Sequence, residues 1–397
     1  MRPLSARSVQ RRGFHVRVTR LRDLSPDDFA HWRSLEETAI EPYPQLTAAY
    51  LETALRDRDD CGDMQLLIAS DAGGWAFLAP VTRATVSTRI TLQALSTADD
   101  YMRSESARRY PLIDAERGTD ALSAVLTSLR ALGLPRFFML SGVDENERLL
   151  DVLARATAAA RGRTLVQNRY ERAVVVPDPS APRAPHDDRL LSRPADFIPH
   201  DRSAESRRKA GRLGRRLQEA VGGDAPVLTL RTDAAIIDDF LELQTRGWKG
   251  DESRGGEGYA ALGQVDWYRA YTGAFHESGR LLALEVTAGG KLLYMTLCVR
   301  LGRTIFGLVD AYDEDFRAFD VGRLSRQAVI NLVRGEEIDL FDPNLGWHNA
   351  EASRTYPQTR GQQELILTDA SLFARAVVLA WAAVRRARRS DDGKVGA

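Results

Sequence analysis

The sequence predicts an α/β chain of the mixed-sheet (α+β) kind, built from two similar halves. Three observations carry that expectation. Apolar residues switch repeatedly between a period of two and a period of 3.6, so strands and helices are interspersed. A proline- and charge-rich stretch without periodicity, "PDPSAPRAPHDDRLLSRP" at 177–194, divides the chain. One order of elements occurs on both sides of it: strand, two helices, three-strand meander, helix, strand, further strand. The expected organisation is a domain over 1–176, a linker over 177–200 and a second domain over 201–397.

In the first half, "HVRVTRL" alternates as a strand. "SPDDFAHWRSLEETA" follows as a helix with Ser25 as N-cap and Pro26 at its first position. "TAAYLETALRD" is a second helix. "MQLLIAS", "GWAFLAPVTR" and "RITLQAL" form the meander, the first two joined by the turn "DAGG". "DALSAVLTSLRALG" is amphipathic and stops at Gly133, "RFFMLSGV" is an apolar strand, and "NERLLDVLARATAAARG" is a helix. "RTLVQ" and "ERAVVVP" close the half as strands.

The second half repeats this with "PVLTLRT", the helix "DAAIIDDFLELQTRGW" capped by Thr232 or Asp233, and the helix "VDWYRAYTGAFHESG". The strands "RLLALEVTA" and "KLLYMTLCVR" meet at a Gly-Gly turn, and "TIFGLVDAY" follows. The helix "GRLSRQAVINLVRG", the strands "EEIDLFDP" and "QQELILT", and a terminal helix complete the order. The apolar run "AVVLAWAAV" at 376–384 falls short of the ~20 residues that span a bilayer. It reads as a docked helix or a surface-lying one, which keeps a peripheral membrane contact open.

Composition narrows the function classes. Lys+Arg and Asp+Glu both number 55 in 397 residues, so global charge points to no anionic partner and only local clusters count. Cys61 and Cys298 stand far apart, and no two of the six histidines share a metal-ligand spacing, so neither a disulfide framework nor a metal site is expected. The basic N-terminus lacks an apolar core of the signal-peptide kind, and a cytoplasmic location is expected. No GxGxxG or GxxxxGK[ST] occurs, which excludes the common nucleotide loops.

"GWKG", "LLALEVTAGGKLLYMTLCVR", "GLVDAYDEDFRAFDVGRLSRQAVI" and "EIDLFDP" occur in the order found in the CelD/BcsL-type branch of the GNAT acyltransferases, which the chain resembles. "WRSL" before "PYPQLTAAYL", and "YPLID" before a long helix, extend the resemblance through the first half. It implies two tandem GNAT-like acyl-CoA N-acyltransferase domains. It also implies acetyl-CoA or another acyl-CoA as cosubstrate, and a polar acceptor such as a sugar or polysaccharide precursor.

Candidate residues follow from where chemistry is possible. A helix N-terminus suits the pyrophosphate of an acyl-CoA, and the loop Val321, Gly322, Arg323, Leu324, Ser325 and Arg326 opens one. The first half lacks that glycine-arginine pattern, so the first domain is expected to be degenerate. The resemblance implies that the acyl arm enters between "IFGLVDAY" and "EIDLFDP". Asp310, Tyr312 and Asp342 lie at those strand ends, with His348 and Tyr356 nearby in sequence. Asp310 or Asp342 is the candidate base, Tyr312 or His348 the candidate acid; turn-capping is the alternative for each carboxylate. In "RGWKGDESRGGEG", Gly250 suits a helix C-cap, and Trp248 and Lys249 are candidate acceptor contacts.

A helix over 203–220 carries Arg207, Arg208, Lys209, Arg212, Arg215 and Arg216 against Glu205 and Glu219. It places Arg208 and Arg212 on one side as candidate phosphate contacts. No aromatics interleave, so nucleic acid is not the expected partner. Two alternatives remain beside the acyl-CoA-dependent N- or O-acyltransferase. One is a Fem-type transferase using aminoacyl-tRNA. The other is a non-catalytic scaffold subunit in envelope polysaccharide synthesis.

Overall fold

The computed structural model describes residues 7–87, 92–178, 203–334, 337–346, 349, 355–356, 358–371, 373–374, 376–378 and 380. Contacts divide the chain into Met1–Tyr170 with Gly361–Ala397, and Glu171–Arg360.

The first unit runs β1 (Arg7–Arg11), β2 (Phe14–Arg20), α1 (Pro26–Thr38), α2 (Ala48–Asp57), β3 (Gln65–Asp71), β4 (Gly74–Ser87), β5 (Leu92–Ser96), α3 (Asp100–Glu105), β6 (Leu112–Ile113), α4 (Gly118–Ser128), β7 (Phe137–Asp144), α5 (Glu147–Ala159) and β8 (Thr164–Val174). Ser25 caps α1 as expected, and Asp28 returns the bond in a capping box. The sheet order is β1-β2-β3-β4-β5-β7, antiparallel except for β5, which lies parallel to β7.

The second unit runs α6 (Ala204–Ala220), β9 (Val227–Arg231), α7 (Ile236–Arg246), α8 (Val265–Glu277), β10 (Leu281–Ala288), β11 (Lys291–Leu301), β12 (Thr304–Tyr312), α9 (Val321–Arg334) and β13 (Leu340–Asp342). Its sheet order is β9-β10-β11-β12-β13, again antiparallel except for the last pair. Each strand of this sheet has its counterpart in the first unit, with β5 and β7 matching β12 and β13. The internal repeat is therefore one plan folded twice.

Three boundaries differ from the sequence expectation. "RTLVQ" and "ERAVVVP" form the single strand β8, which runs through Asn168 without turning. The last strand, β14 (Gln358–Thr368), pairs through Gln362–Thr368 antiparallel with β7 in the first unit's sheet rather than extending the second. Its apolar Leu365, Ile366 and Leu367 are buried there, a destination that strand propensity cannot specify. The division between units thus falls within β8 and β14 instead of at 177–200, most of which lies outside the described residues, as does 381–384 of the terminal apolar run.

In both units the second strand of the parallel pair ends in a buried aspartate. Asp144 at the end of β7 pairs with Arg108 at 2.7 Å, both side chains 1% exposed. Asp342 at the end of β13 pairs with Arg172 from β8, both side chains fully buried. Removing one partner of such a pair strands a charge out of water. Arg108→Met should therefore cost about 3–5 kcal/mol, and Arg108→Met with Asp144→Leu should recover much of it; urea unfolding of both variants checks this.

Candidate active site

The second unit's site begins where a parallel pairing stops. β12 and β13 are in register over three positions, Thr304 with Leu340, Ile305 with Phe341, and Phe306 with Asp342. Pro343 follows, which has no N–H to continue the ladder, and the chain then turns through Asn344 at φ +55°. The Asn344 N–H donates to Asp342 Oδ1 at 2.7 Å and fixes the turn. Gly307 accommodates it: a Cβ there would stand 3.2 Å from Pro343 Cα. On its other side β12 shifts register against β11 between Leu297 and Cys298, leaving Leu308 without a β11 partner.

Beyond this point the two strands diverge around a cavity of about 120 Å³. Gly307–Asp310 of β12 form one wall, Phe341, Pro343 and Leu345 another, Tyr294 and Thr296 of β11 the floor, and Arg326 and Val329 of α9 a side. Tyr356, packed on Phe341, closes part of the rim.

Asp310 is the charged centre of the cavity. Arg326 Nε donates to its Oδ2 at 2.6 Å, and the Tyr294 hydroxyl donates to the same oxygen at 3.2 Å. Lys249 Nζ donates to its main-chain carbonyl at 3.1 Å. Burial pushes the Asp310 carboxyl up. The charge and hydrogen bond of Arg326, with help from Lys249 and Tyr294, outweigh it and hold the group below the usual carboxylate range. Burial would lower the Arg326 pKa, but Asp310 raises it further. Tyr294 is raised well above the ordinary tyrosine value, by burial first and then by Asp310, so its hydroxyl stays protonated. Burial likewise pushes the Cys298 thiol up to about 12, which removes it as a nucleophile.

The candidate phosphate loop is built differently from a simple open cradle. The residue before α9, Asp320, sits at φ +59° with its carboxylate bound by Arg323 Nε at 2.6 Å. Gly322 is covered by the Tyr312 ring, whose Cδ1 would lie 2.9 Å from a Cβ at that position. Val321, Leu324 and Ser325 are buried, and Arg326 turns to Asp310. The first turn of α9 thus carries its own anion. The helix therefore starts beside the Asp320–Arg323 ion pair rather than from an open glycine loop.

The remaining candidates are dispersed. Asp310 and Tyr312 both face α9, as their spacing requires, but only Asp310 lines the cavity. Asp342 is fully buried against Arg172, so it is placed to hold structure rather than to meet a substrate. His348 lies outside the described residues. Gly247, not Gly250, is the C-cap of α7, and Trp248–Gly250 form a 3-10 turn. The glycine-rich run is compact: the Gly258 N–H donates to Lys249 O at 2.7 Å, and Cβ atoms at Gly256 and Gly258 would come within 2.6 Å of backbone oxygen. That loop aims Lys249 at Asp310. Arg208 and Arg212 stand exposed on α6, away from the cavity lining. Tyr294, Thr296 and Arg172 escaped sequence reasoning. For the first two a signal existed, polar residues two apart in the apolar run "LLYMTLCV".

An antiparallel meander ending in a splayed parallel pair, with a cavity in the splay, defines an acyltransferase type of α/β domain. Residues 204–349 match the family described as an acetyltransferase (GNAT) domain. The matched residues lie within the second unit, and the first unit repeats its order of strands. No curated protein matches the chain significantly. Solved structures similar to it include a conserved protein of unknown function from Bacteroides thetaiotaomicron, with 12% identity, covering 87% of this chain and 98% of that one at TM-score 0.48. FemX shows 11% identity over 88% and 98% at TM-score 0.48. A tandem GNAT protein from the clavulanic acid biosynthesis pathway shows 11% identity over 90% and 99% at TM-score 0.33.

Two outcomes test this geometry. Gly322→Ala should destabilise the unit by about 1–3 kcal/mol through overpacking, and the loss should shrink when Tyr312 is also changed to Ala; urea midpoints of the four proteins give the coupling. Because the folded Asp310 pKa is depressed, its contribution is present above the unfolded value of about 3.9 and is lost as pH falls through the lower folded value. Asp310→Asn should therefore flatten the fall in stability on acidification below about pH 4, read from unfolding midpoints across pH 5 to 2.5.

Proposed function

We propose that the second unit transfers an acyl group from a thioester, most simply an acyl-CoA, to the amine or hydroxyl of a polar acceptor such as a sugar or polysaccharide precursor. The observation that carries this reading is the cavity between β12 and β13, walled by the backbone of Gly307–Asp310 where no β13 partner remains. Strand backbone released from its ladder offers N–H donors to a carbonyl as it gains negative charge. The volume of about 120 Å³ suits a short acyl group.

In the reaction the acceptor's nitrogen or oxygen bonds to the carbonyl carbon, the C–S bond breaks, the thiolate leaves with the electron pair, and the acceptor's proton passes to that thiolate, directly or through water, to give the free thiol. Asp310, held anionic by Arg326, is a weak proton acceptor. Its role is to fix the Arg326 and Tyr294 side chains at the cavity wall. Tyr294, protonated throughout, directs its hydroxyl hydrogen to Asp310 and leaves its oxygen as an acceptor at the wall. Lys249 brings the Trp248–Gly250 turn against β12, which supports its assignment to the acceptor side. The closed first unit supports a degenerate role: past Ser96 the Thr97 N–H bonds Met139 O at 3.0 Å, and Arg109 bridges to Ser141 where the second unit has its cavity.

A second reading, transfer of an aminoacyl group from tRNA, is favoured by one feature, the basic exposed face of α6. Val329→Trp should fill the cavity and abolish heat on titration with acetyl-CoA while the thermal transition stays cooperative. Unchanged binding would place the acyl site elsewhere and sink the reading.

A further inference from the structure

Only half of the Asp310 carboxylate is used by its neighbours. The residue lines the cavity with its side chain 24% exposed. Both hydrogen bonds that reach the carboxylate, from Arg326 Nε and from the Tyr294 hydroxyl, end on Oδ2. Among the described residues Oδ1 accepts none, and it is not sealed off from solvent. The floor beside it adds acceptors rather than donors. The Tyr294 hydroxyl gives its hydrogen to Asp310, and the Thr296 hydroxyl gives its own to Val309 O at 3.3 Å, so each keeps only oxygen lone pairs to offer.

A charged oxygen at the wall of a small cavity needs a hydrogen-bond donor. Water can supply one, but an acyl group that fills about 120 Å³ displaces it. A plain alkyl chain would then strand Oδ1 and incur the desolvation penalty of a charged acceptor. An acyl group with its own N–H or O–H would take the place of the water. For the same reason, a site built to bond a substrate hydroxyl rejects the analogue that lacks it.

Charge decides between the two kinds of donor. Asp310 is one anion, and the cations Arg326 and Lys249 both act on it. An ammonium on the acyl group would add a third cation to that balance and lose its own hydration on entry. A neutral hydroxyl brings the same hydrogen bond without that cost.

We propose that Asp310 Oδ1 selects a hydroxyacyl group, with its hydroxyl close to the thioester carbonyl, as the group that the second unit transfers. The hydroxyl donates to Oδ1 while the thioester carbonyl lies along the released backbone of Gly307–Asp310. The two oxygens of one carboxylate then have separate tasks: Oδ2 holds Arg326 and Tyr294, and Oδ1 recognises the acyl group. This rests on the acyl-CoA reading above and narrows its acyl group.

Isothermal titration of the full chain with matched pairs tests the assignment: glycolyl-CoA against propionyl-CoA, and 3-hydroxypropionyl-CoA against butyryl-CoA, with acetyl-CoA as reference. In at least one pair the hydroxyl compound should bind about tenfold or more tightly than its methyl counterpart. β-Alanyl-CoA, the amine counterpart of 3-hydroxypropionyl-CoA, should bind more weakly than that hydroxyl compound. Asp310→Leu with Arg326→Met removes the ion pair without stranding either charge, and should erase or reverse the hydroxyl preference. Circular dichroism and a thermal scan establish that this variant folds; if it does not, the wild-type ratios decide alone. Methyl compounds that bind as tightly as their hydroxyl counterparts, or a preference that survives the double substitution, overturn the assignment, while acetyl-CoA binding leaves the acyl-CoA reading in place. Tightest binding of β-alanyl-CoA overturns it in favour of an aminoacyl group. If no CoA ester binds, the assignment and the acyl-CoA reading fall together.

Discussion

The brief parallel pairing of β12 with β13 is the constraint on which the second unit's site depends. Three paired positions hold the strands together, and Pro343 ends the ladder because it has no donor to offer. Everything that lines the cavity follows from that divergence: bare β12 backbone from Gly307 to Asp310, a polar floor from β11, and the inward side of α9. The Asp342–Arg172 pair clamps the last paired position, so the strands separate at a defined residue instead of fraying.

The duplicated plan shows which features the two units share at the parallel pair and which they do not. Both units keep the parallel pair and the buried aspartate at its end, Asp144 in one and Asp342 in the other. In the first unit the segment around Arg108 and Arg109 lies against the end of β7, with Arg109 bridging to Ser141. The shared aspartate is thus part of the framework, and the difference between the units lies in what occupies the strand ends. A carboxylate that ends a strand in both halves invites a catalytic reading, but burial against an arginine assigns it to structure.

Electrostatics divides the second unit into separate tasks. At the cavity, Asp310, Arg326, Tyr294 and Lys249 form a connected polar group in which Arg326 holds Asp310 anionic and burial keeps Tyr294 protonated. Along α6, six exposed bases face solvent, and α6 and the acidic start of α9 are sequence-distant segments brought together by packing. A chain with no net charge can therefore still present a strongly cationic surface at one place.

The sequence by itself determined the two-fold α/β plan, the meander, the capped start of α1 and the amphipathic α6 with its basic face. All of these are local, because side-chain period and cap chemistry act within a few residues. It also placed Asp310 and Tyr312 on one face of β12, since strand alternation fixes that regardless of surroundings. Only the tertiary structure decided that β14 joins the first sheet, that Arg172 neutralises Asp342, that Arg326 turns from the phosphate loop to Asp310, and that Tyr312 covers Gly322. Each of these joins residues 10 to 231 positions apart, Tyr312 with Gly322 at one extreme and Thr368 of β14 with Phe137 of β7 at the other. Burial and pairing between such segments depend on the path of the whole chain, which periodicity does not encode.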